Sequence, residues 1–133
     1  MNFTPMEMAT LERFRDYSWE VWHWYLTRIY QHRRAQPNDG HQALVELEKR
    51  LDERFRLITQ NVDGLHLKAG NSPEKVYEIH GNLNYMRIFD SSRPNLLPMP
   101  NLVEELNPNE PLPEKVKSKL RDEAGNLMRP HVL

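Results

Sequence analysis

With 133 residues and 15.9 kDa the chain has room for one domain, one able to bury roughly two-thirds of its unfolded surface, and an apolar fraction of 38% with mean hydropathy −0.80 makes its core lean. A formal charge of −1 and a pI near 6.6 give no basis for attraction to nucleic acid or to an anionic membrane. No apolar run approaches the ~20 residues of a membrane span, the first five residues lack the basic-then-apolar layout of a signal peptide, and cysteine is absent, so a soluble cytoplasmic protein without disulfides or thiolate metal sites is expected.

The N-terminal third reads as helical. Thr10 can cap a helix expected over about residues 6–15, and Ser18 restarts the chain into a second, 18–34. There Trp22, Leu26 and Ile29 share a face, with Trp19 and Tyr25 on its flanks, and the basic end around Arg33 and Arg34 suits the C-terminal dipole. Asn38 or Asp39 can cap a third helix over 40–53, in which Ala43, Leu44, Leu47 and Leu51 recur at helical spacing and Glu46 faces Arg50.

Two short extended runs follow. Phe55 to Thr59 is apolar and β-branched, stops at Gln60-Asn61-Val62-Asp63-Gly64, and reads as a strand over 55–60 ending in turn chemistry. A short helix or turn around Leu65-His66-Leu67 and a polar connection lead to a second strand over 76–80, which delivers His80-Gly81 to its end. In open α/β sheets ligands bind beyond the carboxyl ends of strands. Two amides and a carboxylate there can read a small polar molecule, and imidazole, which titrates near neutrality, is a credible general base. Taken singly, such an amide pair is most often a satisfied turn and such a His-Gly a structural feature. Residues 84–89 read as a further strand. Six of the ten prolines fall between Pro94 and Pro113, so 91–109 is expected to be irregular, and a charged helix spans 113–121. Phe14, Trp22, Leu26, Leu44, Leu47, Leu57, Ile58, Leu65, Val76 and Ile79 are the expected core of a mixed α/β, helix-rich fold.

Together the pieces carry a specific resemblance. ITQNVDGLHLKAG resembles the TQN-x-D-x-L-H-x-x-AG signature of the sirtuins, the Sir2 family of NAD-dependent protein-lysine deacylases, and EIHG resembles their HG signature. The segment from Pro37 to Leu44 is similar to their PN-x-x-H-x-AL segment, and Arg129-Pro130-His131-Val132 to their RPH-V segment. The resemblance implies one domain: a helical part over about 6–53, a strand and loop core over 55–81 with one or two strands of a Rossmann-type sheet, and a zinc-type module over 82–128. It implies NAD as cofactor and an acyl-lysine protein or peptide as partner, with Gln60, Asn61 and Asp63 lining the nicotinamide pocket and His80 as general base. The implied reaction is attack of the acyl-lysine amide oxygen on the ribose C1′, release of nicotinamide, and transfer of the acyl group to ADP-ribose. Tyr25 and Arg28, one turn apart, are similar to the acyl-pocket pair of the desuccinylase-like branch; a guanidinium fork beside a phenol suits an acyl chain ending in a carboxylate, while the bland alternative is an aromatic buttress beside a solvated arginine.

Two departures qualify what the resemblance implies. The family's four zinc-binding cysteines map to Ile88, Ser91, Arg121 and Ala124, so no zinc is expected and the segment must hold by apolar packing or stay disordered. No G-x-G occurs to hold a pyrophosphate. The chain is therefore expected to carry the nicotinamide end of a deacylase site and to be inactive or very weak alone, with a complementing chain or a homo-oligomer sealing a bare sheet edge. The alternative is a non-catalytic, metal-free interaction or scaffold module.

Overall fold

The structure, a computed structural model, describes residues 4–89 and 95–133. The helix expected over 6–15 is two helices, α1 (Pro5–Met8) and α2 (Leu11–Asp16), because two threonines each start one. Thr4 and Glu7 form a reciprocal capping box, and Thr10 Oγ1 accepts from the Arg13 amide at 3.2 Å. The next helix, α3 (Ser18–Arg34), has the expected bounds. It ends where Ala35 turns extended, two residues before Pro37. Asn38, rather than Asp39, caps α4 (Asp39–Leu51), exchanging hydrogen bonds with His41. The ion pair on α4 joins Glu46 to Lys49 at 3.0 Å instead of to Arg50.

The helix α3 is the axis of the core. Val21, Trp22, Tyr25, Leu26 and Ile29 are buried along one face, and the Trp22 indole, wholly enclosed, donates from Nε1 to the Met128 carbonyl at 2.9 Å. Phe14 meets Trp22 edge-on at 6.4 Å and lies 5.1 Å from Phe89. The far side of this core comes from the C-terminal half: Met86, Met99, Leu102, Leu112, Val116, Leu120 and Met128. The strand β3 (Gly81–Ile88) pairs antiparallel with β4 (Leu97–Pro98) and with β5 (Met128–Val132), so the Arg129-Pro130-His131-Val132 segment is an edge strand, which its single alternating stretch did not reveal. Proline is tolerated in β4 and β5 because both lie at the edge of the sheet. The expectation of irregular chain over 91–109 is corrected for 97–98 and for the 3-10 turn Val103–Glu105; its first residues lie outside those described. The charged helix is α6 (Glu114–Lys119).

A second, separate sheet has only two strands, β1 (Leu57–Thr59) and β2 (Val76–Glu78), parallel and in the register Leu57 to Val76, Ile58 to Tyr77, Thr59 to Glu78. Between them lies α5 (Leu65–Ala69), packed on α4, where Val45 approaches Gly70. The core expectation fails here. Ile58 is 68% exposed, Ile79 48% and Leu47 42%, while Leu44, Leu57 and Val76 are half-buried. Apolar parity along a strand identifies a face but cannot say whether anything covers it. No described element covers Ile58, Tyr77 and Ile79.

The start of β2 is tied to α4 by one carboxylate. Glu48 accepts from Asn71 Nδ2 at 3.1 Å, from the Ser72 amide at 2.9 Å and from the Ser72 hydroxyl at 2.6 Å. These bonds, those of Ser72 first, hold its pKa down to about 2. A lowered carboxylate contributes stability that is complete above its ordinary value of 4.5 and lost as pH falls towards 2. Urea titrations between neutral pH and about pH 3 should therefore show Glu48→Gln less stable than wild type at neutrality, with the difference shrinking in acid. At the other end of the fold, Trp22→Ala should cost about 3–5 kcal/mol in the same assay, through an emptied core and a carbonyl left without its donor.

Candidate functional site

Parallel pairing sends β1 and β2 out of the sheet side by side. The ladder runs one bond past the strands, with the Ile79 amide donating to the Thr59 carbonyl at 3.1 Å, so Gln60 and Asn61 leave β1 at the edge where His80 leaves β2. Gln60, Asn61 and His80 are exposed and Asp63 is half-buried. The backbones of Gln60, Asn61 and His80 leave the sheet at one end.

The loop between β1 and α5 is shaped by short polar bonds. Thr59 Oγ1 accepts from the Asn61 amide at 3.0 Å and turns the chain. Asp63 Oδ1 accepts from the Leu65 amide at 3.0 Å, so one carboxylate oxygen starts α5. The Val62 carbonyl accepts from the Leu83 amide at 2.9 Å, which ties the loop to β3. Gly64 sits in the left-handed region at φ 70°, and a Cβ there would meet Asn84 Nδ2 at 2.7 Å. The glycine after His80 is more constrained still. Gly81 has φ 92°, and a Cβ on it would lie 2.0 Å from the His131 carbonyl oxygen, because β5 crosses directly over it. The crossing also engages the preceding residue, as the Leu133 amide donates to the His80 carbonyl at 3.0 Å.

A residue not singled out from the sequence joins this site. Glu78, last in β2, accepts from Asn82 Nδ2 at 2.9 Å. Burial holds its pKa above the ordinary carboxylate value; the Asn82 bond opposes that rise and the charge of Asp63 adds to it. The available signal was parity, since Val76 and Glu78 share the inward face of the strand.

Tyr25 and Arg28 lie on α3 as neighbours one turn apart, yet they line different cavities. Tyr25 is 9% exposed and sits edge-on to Trp24 at 4.8 Å, beside a cavity of about 30 Å³ that it shares with Arg129, Phe14 and Val132. Burial raises its phenol pKa, against the pull of Arg28 and Arg129. The Arg28 guanidinium lies 3.9 Å over the Trp24 ring and lines a groove of about 950 Å³ with Trp19, Glu20 and His23. Its Nε is buried without a hydrogen-bond partner among the described residues.

The sequence and fold match known proteins over most of the chain. A family model described as the Sir2 family covers residues 2–133. The chain is 36% identical over 140 residues to an NAD-dependent protein deacylase of Deinococcus radiodurans, covering 99% of this chain and 49% of the relative. It is 38% identical over 132 residues to one from Aquifex aeolicus, with the same shares, and 49% identical over 85 residues to one from Thermus thermophilus, covering 62% of this chain and 33% of the relative. Among solved structures, a complex of a Sir2 homolog with NAD superposes with a TM-score of 0.74 at 34% identity, over 99% of this chain and 46% of that one. The chain thus spans a third to a half of the length of these proteins.

The four positions where the resemblance places zinc thiolates do not suit a metal. Ile88 and Ala124 carry no donor atom and Arg121 a cation, while Ser91 lies outside the described residues. Among the described residues no three His, Asp or Glu side chains gather at ligand range. What holds this segment is apolar packing plus a stitched turn: Val116, Leu120 and Met128 are fully buried, Arg121 bridges Leu127, and both oxygens of Asp122 accept from Asn126, at 2.8 and 2.9 Å. Excess EDTA should leave the thermal midpoint unchanged, whereas Leu120→Ala should cost about 2–5 kcal/mol. One equivalent of zinc per chain by elemental analysis would overturn this account.

Proposed function

Because the chain belongs to the Sir2 family, we propose that it is the part of an NAD-dependent protein-lysine deacylase that carries the nicotinamide pocket, the general base and the acyl pocket. The observation that carries this reading is the parallel register of Thr59 with Glu78, which lets Asn61 and His80 emerge beside one another at an open strand end. In the proposed site Gln60 and Asn61 hold the carboxamide through paired donors and acceptors, and Asp63 accepts from its NH₂. NAD, when bound, supplies the electrophilic ribose carbon and nicotinamide as leaving group. His80 accepts a ribose hydroxyl proton at a ring nitrogen. Arg28, which lines the open groove, receives the far end of the acyl group, and its guanidinium favours a carboxylate there; Tyr25, in a separate small cavity, does not share that contact.

Turnover in this reading needs more polypeptide than the 133 residues supply. The sequence has no G-x-G turn for a pyrophosphate, and it aligns with about half of its longer relatives. The bare sheet is where the remainder belongs. Parallel sheets are normally covered on both faces, and β1 and β2 leave Ile58, Tyr77 and Ile79 exposed on one of them. A complementing chain that packs on this face would bury it, and a homo-oligomer is the second way to do so.

Calorimetric titration with nicotinamide tests the pocket. Weak, millimolar-range binding is expected, reduced roughly tenfold by Asn61→Ala or Asp63→Ala, the equivalent of about 1.4 kcal/mol for one hydrogen bond, and largely unchanged by His80→Ala, whose partner is the ribose hydroxyl that nicotinamide lacks. Absence of binding by the wild-type chain would leave the non-catalytic interaction module as the better reading. Mass spectrometry of acetylated and succinylated peptides incubated with NAD and the chain then reads turnover directly.

A further inference from the structure

The polar loop that follows β1 has little to hold it, since the strand before it is three residues long and the helix after it five. Its direction comes from a chain of hydrogen bonds that begins on the neighbouring strand. Asn82 is 4% exposed, so both ends of its amide must find partners inside the protein. Nδ2 donates to Glu78 Oε2 at 2.9 Å and Oδ1 accepts from the Asn84 amide at 2.8 Å. A carboxylate facing an amide can only accept and a backbone N–H can only donate, so Glu78 and the Asn84 amide together decide which way round the Asn82 side chain sits. With that orientation set, the Asn82 and Asn84 side chains form a wall against Gly64, which has no room for a Cβ on that side. On the far side of the same glycine stand Asp63, bonded to the Leu65 amide, and Val62, bonded to the Leu83 amide.

We infer that Glu78 is a positioning residue, acting through Asn82 to fix the loop that carries Asp63 and thereby the direction of its carboxylate. The catalytic significance of this rests on the proposed nicotinamide pocket; the mechanical statement does not. Glu78 is suited to the role by its place, because it is the residue of β2 paired with Thr59, from which the loop departs. A break between Glu78 and Asn82 leaves the amide held by the Asn84 bond alone, weakens the wall behind Gly64 and loosens the bonds of Leu65 and Leu83 together.

Amide hydrogen exchange on the full chain, followed by NMR, tests the mechanical part, and nicotinamide titration tests its consequence. Glu78→Ala and Asn82→Ala should each speed exchange at the Leu65 and Leu83 amides about tenfold, with the Leu26 amide in α3 unchanged as the internal control for folding. Glu78→Gln, which keeps an acceptor oxygen towards Asn82, should restore protection and nicotinamide affinity to near wild type. Protection unchanged in Glu78→Ala, or a glutamine variant no better than alanine, overturns the inference. A wild-type chain that binds no nicotinamide, with both alanine variants losing protection as described, overturns the pocket and leaves the positioning role standing.

Discussion

The parallel pairing of Thr59 with Glu78 is the constraint on which the site depends. Antiparallel strands would have sent the segments after Thr59 and Glu78 to opposite ends, and Asn61 and His80 could not share an edge. Parallel strands need a long crossover, and here it is the loop, α5 and the polar connection up to Lys75. The crossover is anchored at several places, among them Val62 on the Leu83 amide, Val45 against Gly70, and Glu48 on Asn71 and Ser72. Each anchor is short-range chemistry in the service of one register.

A different part of the molecule supplies the stability. The Trp22 indole reaches the Met128 carbonyl across 106 residues of sequence, joining α3 to the antiparallel sheet, and the apolar side chains of residues 99–120 close over the same core. That arrangement lets the C-terminal segment dispense with thiolates: Val116, Leu120 and Met128 do by burial what a metal would do by ligation. The two halves meet at Gly81, where β5 passes so close that only a glycine fits. The small sheet and the large core are thus coupled through the residue next to the proposed base.

The two sheets differ in how finished they are. The three-stranded sheet has its inner face packed on α3, whereas the two-stranded one shows Ile58, Tyr77 and Ile79 to solvent. The matched relatives are about twice as long as the chain.

Local chemistry in the sequence was enough for much of this. Thr10 and Asn38 as caps, the helical face of Trp22, Leu26 and Ile29, the turn after Thr59 and the motifs of the family were all legible, because each depends on residues within a turn or two of one another. Only the tertiary structure decided what lies against what. It showed β5 as a strand, since an edge strand takes its character from the partner it pairs with, and it exposed Ile58, Ile79 and Leu47, whose apolar spacing names a face but not a cover. It sent Tyr25 and Arg28 to separate cavities, the Arg28 guanidinium lying over the ring of Trp24, the residue before Tyr25. Glu78 joined the site for the same reason: its bond to Asn82 needs a turn through Gly81 that no periodicity announces. Sequence alone determined most of the helices, the two parallel strands and the residues able to do chemistry. Their burial and pairing rest on contacts between distant segments, which only the folded chain defines.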